Sequence, residues 1–206
     1  DISTGSYASK SFLFTGQDTD PMSLDFSSDG TKMYMLGQTN KTVYQYTLST
    51  PWDISTAAYA TKSISVNAQD TTPYSLAFKT DGTAMYVVGY TNKPVYQYTL
   101  STPWDLATAS YASKSLSLSG YGTDHQGLCL SSNGVYLYVS EQTTDKVYRF
   151  TLSVAWDIST GVYANIDLSV PAQDTAPTGI RLSADDSKMY VLGNVADDIF
   201  QYTMYG

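Results

Sequence analysis

The stretch Phe26–Gly37, FSSDGTKMYMLG, returns as FKTDGTAMYVVG at Phe78–Gly89, as LSSNGVYLYVSE at Leu130–Glu141 and as LSADDSKMYVLG at Leu182–Gly193. Each step is 52 residues, with neither insertion nor deletion between copies. Self-similarity at such a period marks a repeat architecture, in which each supersecondary unit buries its apolar face against the next. A second stretch keeps the same step: DISTAAYATK at Asp53 returns at Asp105 and Asp157, and DISTGSYASK opens the chain at Asp1. Four units account for the 206 residues, short only of the dipeptide ending in Trp52, Trp104 or Trp156 that precedes the other three aspartates. No linker, charge run or low-complexity segment interrupts them.

Inside a unit the period is two. In the second copy, Ser75–Phe78, Ala84–Val88, Val95–Leu100 and Tyr111–Leu118 are rich in Tyr, Val, Thr and Ser, and turn residues fill the gaps. Asp29-Gly30, Asp81-Gly82 and Asn133-Gly134 supply the positive φ of a tight hairpin, with Asp185-Asp186 as a less favourable substitute. No segment carries a helical stripe, so the unit reads as four strands and nothing else. Four-stranded units in tandem predict an all-β chain, a β-propeller with four four-stranded blades of 52 residues. The blades are expected at about 21–66, 73–118, 125–170 and 177–206 plus 7–14, in a single domain spanning 1–206. In this reading Tyr7–Phe14 pairs with Ile199–Met204 and closes the ring; a two-chain, eight-bladed ring is the runner-up.

Composition narrows the function. Nineteen acidic residues against 11 Lys and Arg give a net charge of −8, which disfavours nucleic acid, whose affinity comes mainly from basic side chains on phosphates. One Cys and one His exclude a disulfide framework, a thiolate zinc site and any multi-histidine metal centre. No apolar run is long enough for a membrane span. The chain opens at Asp1 without a basic, apolar leader, so a signal peptide is expected to be absent or already removed.

The run from Phe26 to Met35, followed by Lys41-Thr42-Val43-Tyr44-Gln45-Tyr46-Thr47-Leu48, resembles the repeats of YVTN-type and lactonase-like propellers over about 30 of every 52 residues. The loop carrying Trp-Asp-Ile-Ser-Thr is similar to a variety found in phage structural and marine bacterial surface proteins. That resemblance implies blade architecture and an exported or virion-borne module rather than a particular activity. The Trp-Asp pairs do not match WD-repeat propellers, where the dipeptide closes the third strand and a Gly-His supports it.

The candidate chemistry is sparse. His125 stands where Pro21, Pro73 and Pro177 stand in the other units, and Glu141, the only Glu, replaces Gly37, Gly89 and Gly193. A hairpin returns His125 and Glu141 to one rim, but no nucleophile or metal set accompanies them. Cys129 reads as a small buried thiol. The loops Gln17-Asp18-Thr19, Gln69-Asp70-Thr71 and Gln173-Asp174-Thr175 lead into the innermost strands and are expected to ring the channel mouth. Asp18, Asp70 and Asp174 there present hard oxygens that suit a calcium ion or sugar hydroxyls, and Asx-turns are their plain structural reading. Tyr74, Tyr90 and Tyr121 add aromatic faces, the last two in loops where core packing does not demand an aromatic.

The expected function is therefore a non-catalytic, extracellular or virion-surface binding module for carbohydrate. Its ligand is expected at Asp18, Asp70, Asp174, Tyr74, Tyr121 and His125, with glycan or surface polymer, or a homo-oligomeric assembly, as partner. A structural protein of a phage particle or surface fibre is the alternative, and a lactonase-like hydrolase comes last.

Overall fold

The structure, a computed structural model, describes residues 6–204. Blade 1 comprises β1 (Pro21–Phe26), β2 (Lys32–Gly37), β3 (Thr42–Leu48) and β4 (Ala57–Ser65). Blade 2 comprises β5 (Pro73–Phe78), β6 (Ala84–Gly89), β7 (Pro94–Leu100) and β8 (Ala109–Ser117). Blade 3 comprises β9 (His125–Leu130), β10 (Tyr136–Glu141), β11 (Lys146–Leu152) and β12 (Gly161–Ser169). Blade 4 holds β13 (Pro177–Leu182), β14 (Lys188–Gly193) and β15 (Ile199–Thr203). Strands pair antiparallel in sequence order within each blade. The blades form a four-bladed β-propeller with almost no helix, as the repeat predicts. The expected boundary of blade 4 at Tyr205 and Gly206 lies outside the described residues. Among the described residues no helix is long and apolar enough to cross a membrane.

The hairpin chemistry read from sequence is realised. Gly30, Gly82 and Gly134 take φ of 69°, 74° and 70°, and Asp29 Oδ1 accepts the Thr31 N–H at 3.0 Å. What the repeat did not announce is why those glycines recur. A Cβ at each would lie 2.2–2.4 Å from the indole of Trp52, Trp104 or Trp156, which folds back over the turn. Asp186 occupies the slot in blade 4 at φ 57°, with no Trp above it among the described residues. The loop itself adds one short 3-10 turn per unit, at Ile54–Thr56, Leu106–Thr108 and Ile158–Thr160, so the units are not strands alone.

This loop clamps each blade to the one before. Tyr34 Oη donates to the Trp104 carbonyl and Tyr86 Oη to that of Trp156. Gln45 Oε1 accepts from the Leu106 N–H, Gln97 Oε1 from that of Ile158. Lys62 pairs with Asp105 at 2.7 Å and Lys114 with Asp157 at 2.6 Å. Sandwiched this way, β6 is buried along its whole length, on both faces. β14 and β15 in contrast alternate between covered and exposed positions.

The seam between blades 4 and 1 differs from the other junctions. Inner strands approach one another from β1 to β5, β5 to β9 and β9 to β13, but β13 and β1 make no comparable approach. Residues 7–14 form no ladder with β15, so blade 4 has three strands among the described residues rather than the expected four. The reason is the open seam, which keeps that segment on blade 1, where Phe12 and Phe14 pack against Met33, Met35 and Tyr46. Arg181 bridges the gap, reaching Asp25 at 3.1 Å.

Candidate functional site

In blades 1, 2 and 4 the loop that leads into the inner strand carries a buried carboxylate, as the repeat placed it. Asp18 accepts from the N–H groups of Asp20, Thr39 and Asn40; Asp70 accepts from those of Thr72, Thr91 and Asn92. Asp174 does the same with Ala176, Val195 and Ala196. Burial would raise the Asp174 carboxyl, but these N–H bonds outweigh it and hold its pKa below the ordinary value. The carboxylates therefore tie the loop before the first strand to the turn between the second and third. Their lone pairs are engaged with backbone, and each serves its own blade. Among the described residues no group of three or more His, Cys, Asp or Glu is placed to hold a metal ion.

Blade 3 reaches the same end from the opposite strand. Gly122 stands where the other units have Asp, and Glu141 where they have Gly. The Glu141 carboxylate fills the hole, accepting from the N–H groups of Thr123, Asp124 and Thr144 and from the hydroxyls of Thr143 and Thr144 at 2.6–2.8 Å. Burial pushes its pKa up, but these donors prevail and set it at about 2. The exchange is sterically reciprocal. A Cβ at Gly37 would lie 2.3 Å from the Asp18 carboxyl, and one at Gly122 would lie 2.1 Å from that of Glu141. Glu141 is thus a scaffold carboxylate. Its sequence signal was the paired change at positions 122 and 141, which neither position reveals alone.

Tyr121 belongs to a second exchange of this kind. In the other blades Gln17, Gln69 and Gln173 accept from the hydroxyls of Tyr46, Tyr98 and Tyr202. In blade 3 the pair becomes Tyr121 on Phe150, at 5.2 Å edge to face, with Tyr148 and Tyr163 around it. Core packing does demand this aromatic, so Tyr121 is not the free loop platform expected. His125 is buried as well, and neither ring nitrogen finds a partner among the described residues. Burial lowers its pKa against the pull of Glu141, which leaves the ring neutral at pH 7.

At the junction of blades 2 and 3 the accessible rim carries aromatic side chains. Tyr74 is half-buried and Tyr90 exposed, their ring centroids 6.1 Å apart. The Gln126 amide lies beside the Tyr74 hydroxyl and donates from Nε2 to Asp124 Oδ1 at 2.6 Å. Burial first, and then the charge of Asp124, raise the Tyr74 pKa, so its hydroxyl stays protonated at neutral pH. Thr72 and Thr91 hydroxyls, 2.9 Å apart, continue the rim beside them. An aromatic pair, a carboxylate, an amide and hydroxyls thus meet on one edge of the channel. Tyr74 was expected there; Asp124 and Gln126 were missed. The signal for Gln126 was that Met22, Tyr74, Gln126 and Thr178 share one slot of the repeat without sharing chemistry; Asp124 shares its slot with Asp20, Thr72 and Ala176.

No family model and no curated protein sequence matches the chain. Solved structures do. A protein from Lactobacillus plantarum superposes with a TM-score of 0.64 at 16% identity, covering 89% of this chain and 50% of its own. A protein from Bacteroides uniformis with a provisional 6-phosphogluconolactonase name gives 0.62 at 13%, covering 90% and 50%. The periplasmic gluconolactonase of Pseudomonas aeruginosa gives 0.58 at 16%, covering 89% and 49%. The chain resembles lactonase-like β-propellers. It spans about half the length of these neighbours. They support the broad propeller resemblance and leave the Trp-Asp loop variety without support. They also correct the expectation of a non-catalytic chain: proteins with lactonase names stand among its structural neighbours, so nothing in this fold sets the chain apart from enzymes.

Proposed function

We propose that this propeller binds a polyhydroxylated, sugar-like ligand on the rim between blades 2 and 3. The observation that carries the reading is the meeting of Tyr90 and Tyr74 with the Asp124–Gln126 pair. A tyrosine face stacks on the apolar face of a sugar ring, while a carboxylate and an amide accept from and donate to neighbouring hydroxyls. Asp18, Asp70, Asp174 and Glu141 hold the loops of this rim in place and do not contact ligand. His125, buried opposite Glu141, does not contact ligand in this reading. Calorimetric titration with a panel of mono- and oligosaccharides tests the reading. Tyr90→Ala and Gln126→Ala, both on the rim, should each weaken binding about tenfold or more with the melting temperature unchanged. Affinity untouched by both substitutions would remove the site.

A second reading is favoured by the lactonase names of the neighbours. Here the same rim hydrolyses a sugar lactone. Asp124 takes a proton from water as the oxygen adds to the lactone carbonyl, and it returns that proton to the ring oxygen as the carbonyl carbon–ring oxygen bond breaks. Asp124→Asn should then abolish turnover of a gluconolactone while sugar binding falls only a few fold. Placement on a cell surface or virion, with the Trp-Asp loop variety of such proteins, accords with a glycan ligand and is tested by cell fractionation. An assembly role in a particle or fibre is the remaining alternative, and the uncovered face of blade 4 favours it.

A further inference from the structure

Residues 7–14 have the features of a fourth strand and no sheet of their own. Ser9 sits at φ 56°, matching the bulge residues Thr61, Ser113 and Asn165 at 57°, 56° and 52°. Lys10 reaches Asp53 at 2.6 Å, as Lys62 reaches Asp105 and Lys114 reaches Asp157. Phe12 meets Tyr46 edge to face at 5.1 Å. The segment therefore lies on blade 1 as β4 lies on blade 2. It is the outer strand of a blade that precedes blade 1.

The other end of the arc shows the complementary deficit. The edge of β15 has no partner strand among the described residues. Leu192 is 46% exposed and Ile199 51%, where their repeat counterparts Leu36 and Val43 are both at 0%. Across the seam Leu24 is 61% exposed against 3% for Leu76. These residues line a cavity of about 580 Å³ that runs from the channel into the seam, together with Phe14, Met33 and Met35. An apolar surface of this kind, flanked by an open strand edge, is an association site.

Curvature says what covers it. The arc superposes over 89–90% of its length on half of propellers about twice as long, at TM-scores of 0.62–0.64. Its blades are therefore stacked as in a larger ring, and its own residues 7–14 stay on blade 1, where Phe14 lines the seam cavity without joining the β15 edge. We propose that two copies of the chain close one eight-bladed ring, with residues 7–14 of each forming the fourth strand of the partner's blade 4. The two junctions are then further copies of the contact that already joins blades 1 to 2 and 2 to 3. In that ring Arg181, which spans the channel to Asp25, reaches the partner's Asp25 instead. This inference does not depend on the ligand reading.

The ladder register makes it testable. Thr47 stands opposite Ala58 in blade 1, and the 52-residue repeat transposes that pair to Thr203 opposite Ser6. Both are exposed, and the native Cys129 is buried. The mass of the wild-type chain is measured by light scattering. Chains carrying Ser6→Cys alone and Thr203→Cys alone are then mixed under mild oxidation. The expected result is a particle of two chains and a disulfide joining one variant to the other. A single-chain mass, an assembly of other stoichiometry, or no disulfide between the two mixed variants would overturn it. Where a variant failed to fold, judged by its β-sheet circular dichroism, the wild-type mass decides alone.

Discussion

Glu141 illustrates how one residue is fixed by a partner on the opposite strand. Its carboxylate satisfies three backbone N–H groups, and those of Asp124 and Thr144 have no other acceptor among the described residues. Removing it by Glu141→Ala should cost about 2–4 kcal/mol, because buried donors are left unpaired. Gly122→Asp should cost a similar amount through collision with Glu141. The double variant Gly122→Asp/Glu141→Gly restores the arrangement of the other blades and should be more stable than the sum predicts, although Gly122 at φ 112° must relax. Chemical denaturation of the four proteins checks the cycle. Acid provides an independent probe of the same carboxylates. Glu141, Asp29, Asp81 and Asp185 all have pKa values lowered to about 2 in the fold. For a depressed carboxyl the stabilisation is complete above the unfolded value, near 4. It is lost as pH falls toward the folded value. The melting temperature should therefore be flat from pH 7 to about pH 5 and drop steeply between about pH 4 and pH 2. A melting temperature that held through this interval would contradict the assignment.

At the scale of elements, the loop after each third strand is the fastener. Trp104 covers Gly82, its carbonyl accepts from Tyr34, Asp105 pairs with Lys62 and the Leu106 N–H donates to Gln45. Gly82→Ala combines a left-handed backbone with a Cβ 2.4 Å from the indole and should destabilise by about 2–4 kcal/mol. Lys62→Ala, whose partner is partly solvated, should cost no more than about 1 kcal/mol. Thermal melts of the two variants separate these outcomes. Strands, hairpins and repeat phase were legible in the residues because each has a local cause: alternation, an Asp-Gly turn, a fixed step. The Gly-Trp contact and the exchanges Asp18/Gly122 with Gly37/Glu141 and Gln17/Tyr121 with Tyr46/Phe150 were not. They join positions on different elements, and scanning one position at a time across the units cannot show a change compensated elsewhere.

The whole molecule carries the property least visible in sequence, the angle between blades. A 52-residue unit specifies how one blade grips the next through Tyr, Gln and Lys contacts, but the ring that results depends on small tilts accumulated over the three junctions of the chain. That is why the closure expected between residues 7–14 and Ile199–Met204 does not form within the chain, while each local piece of it is present. The proposed rim site is asymmetric for a local reason. The junction of blades 2 and 3 departs from the repeat at Tyr74, Tyr90, Asp124 and Gln126, whereas the carboxylate scaffold beneath it keeps the symmetry. Counting blades directly is the most decisive measurement. Electron cryo-microscopy of the chain in solution should show rings of eight blades, with residues 7–14 of one copy in the ladder beside β15 of the other. A closed ring of four blades, with that ladder made inside a single chain, would contradict the account.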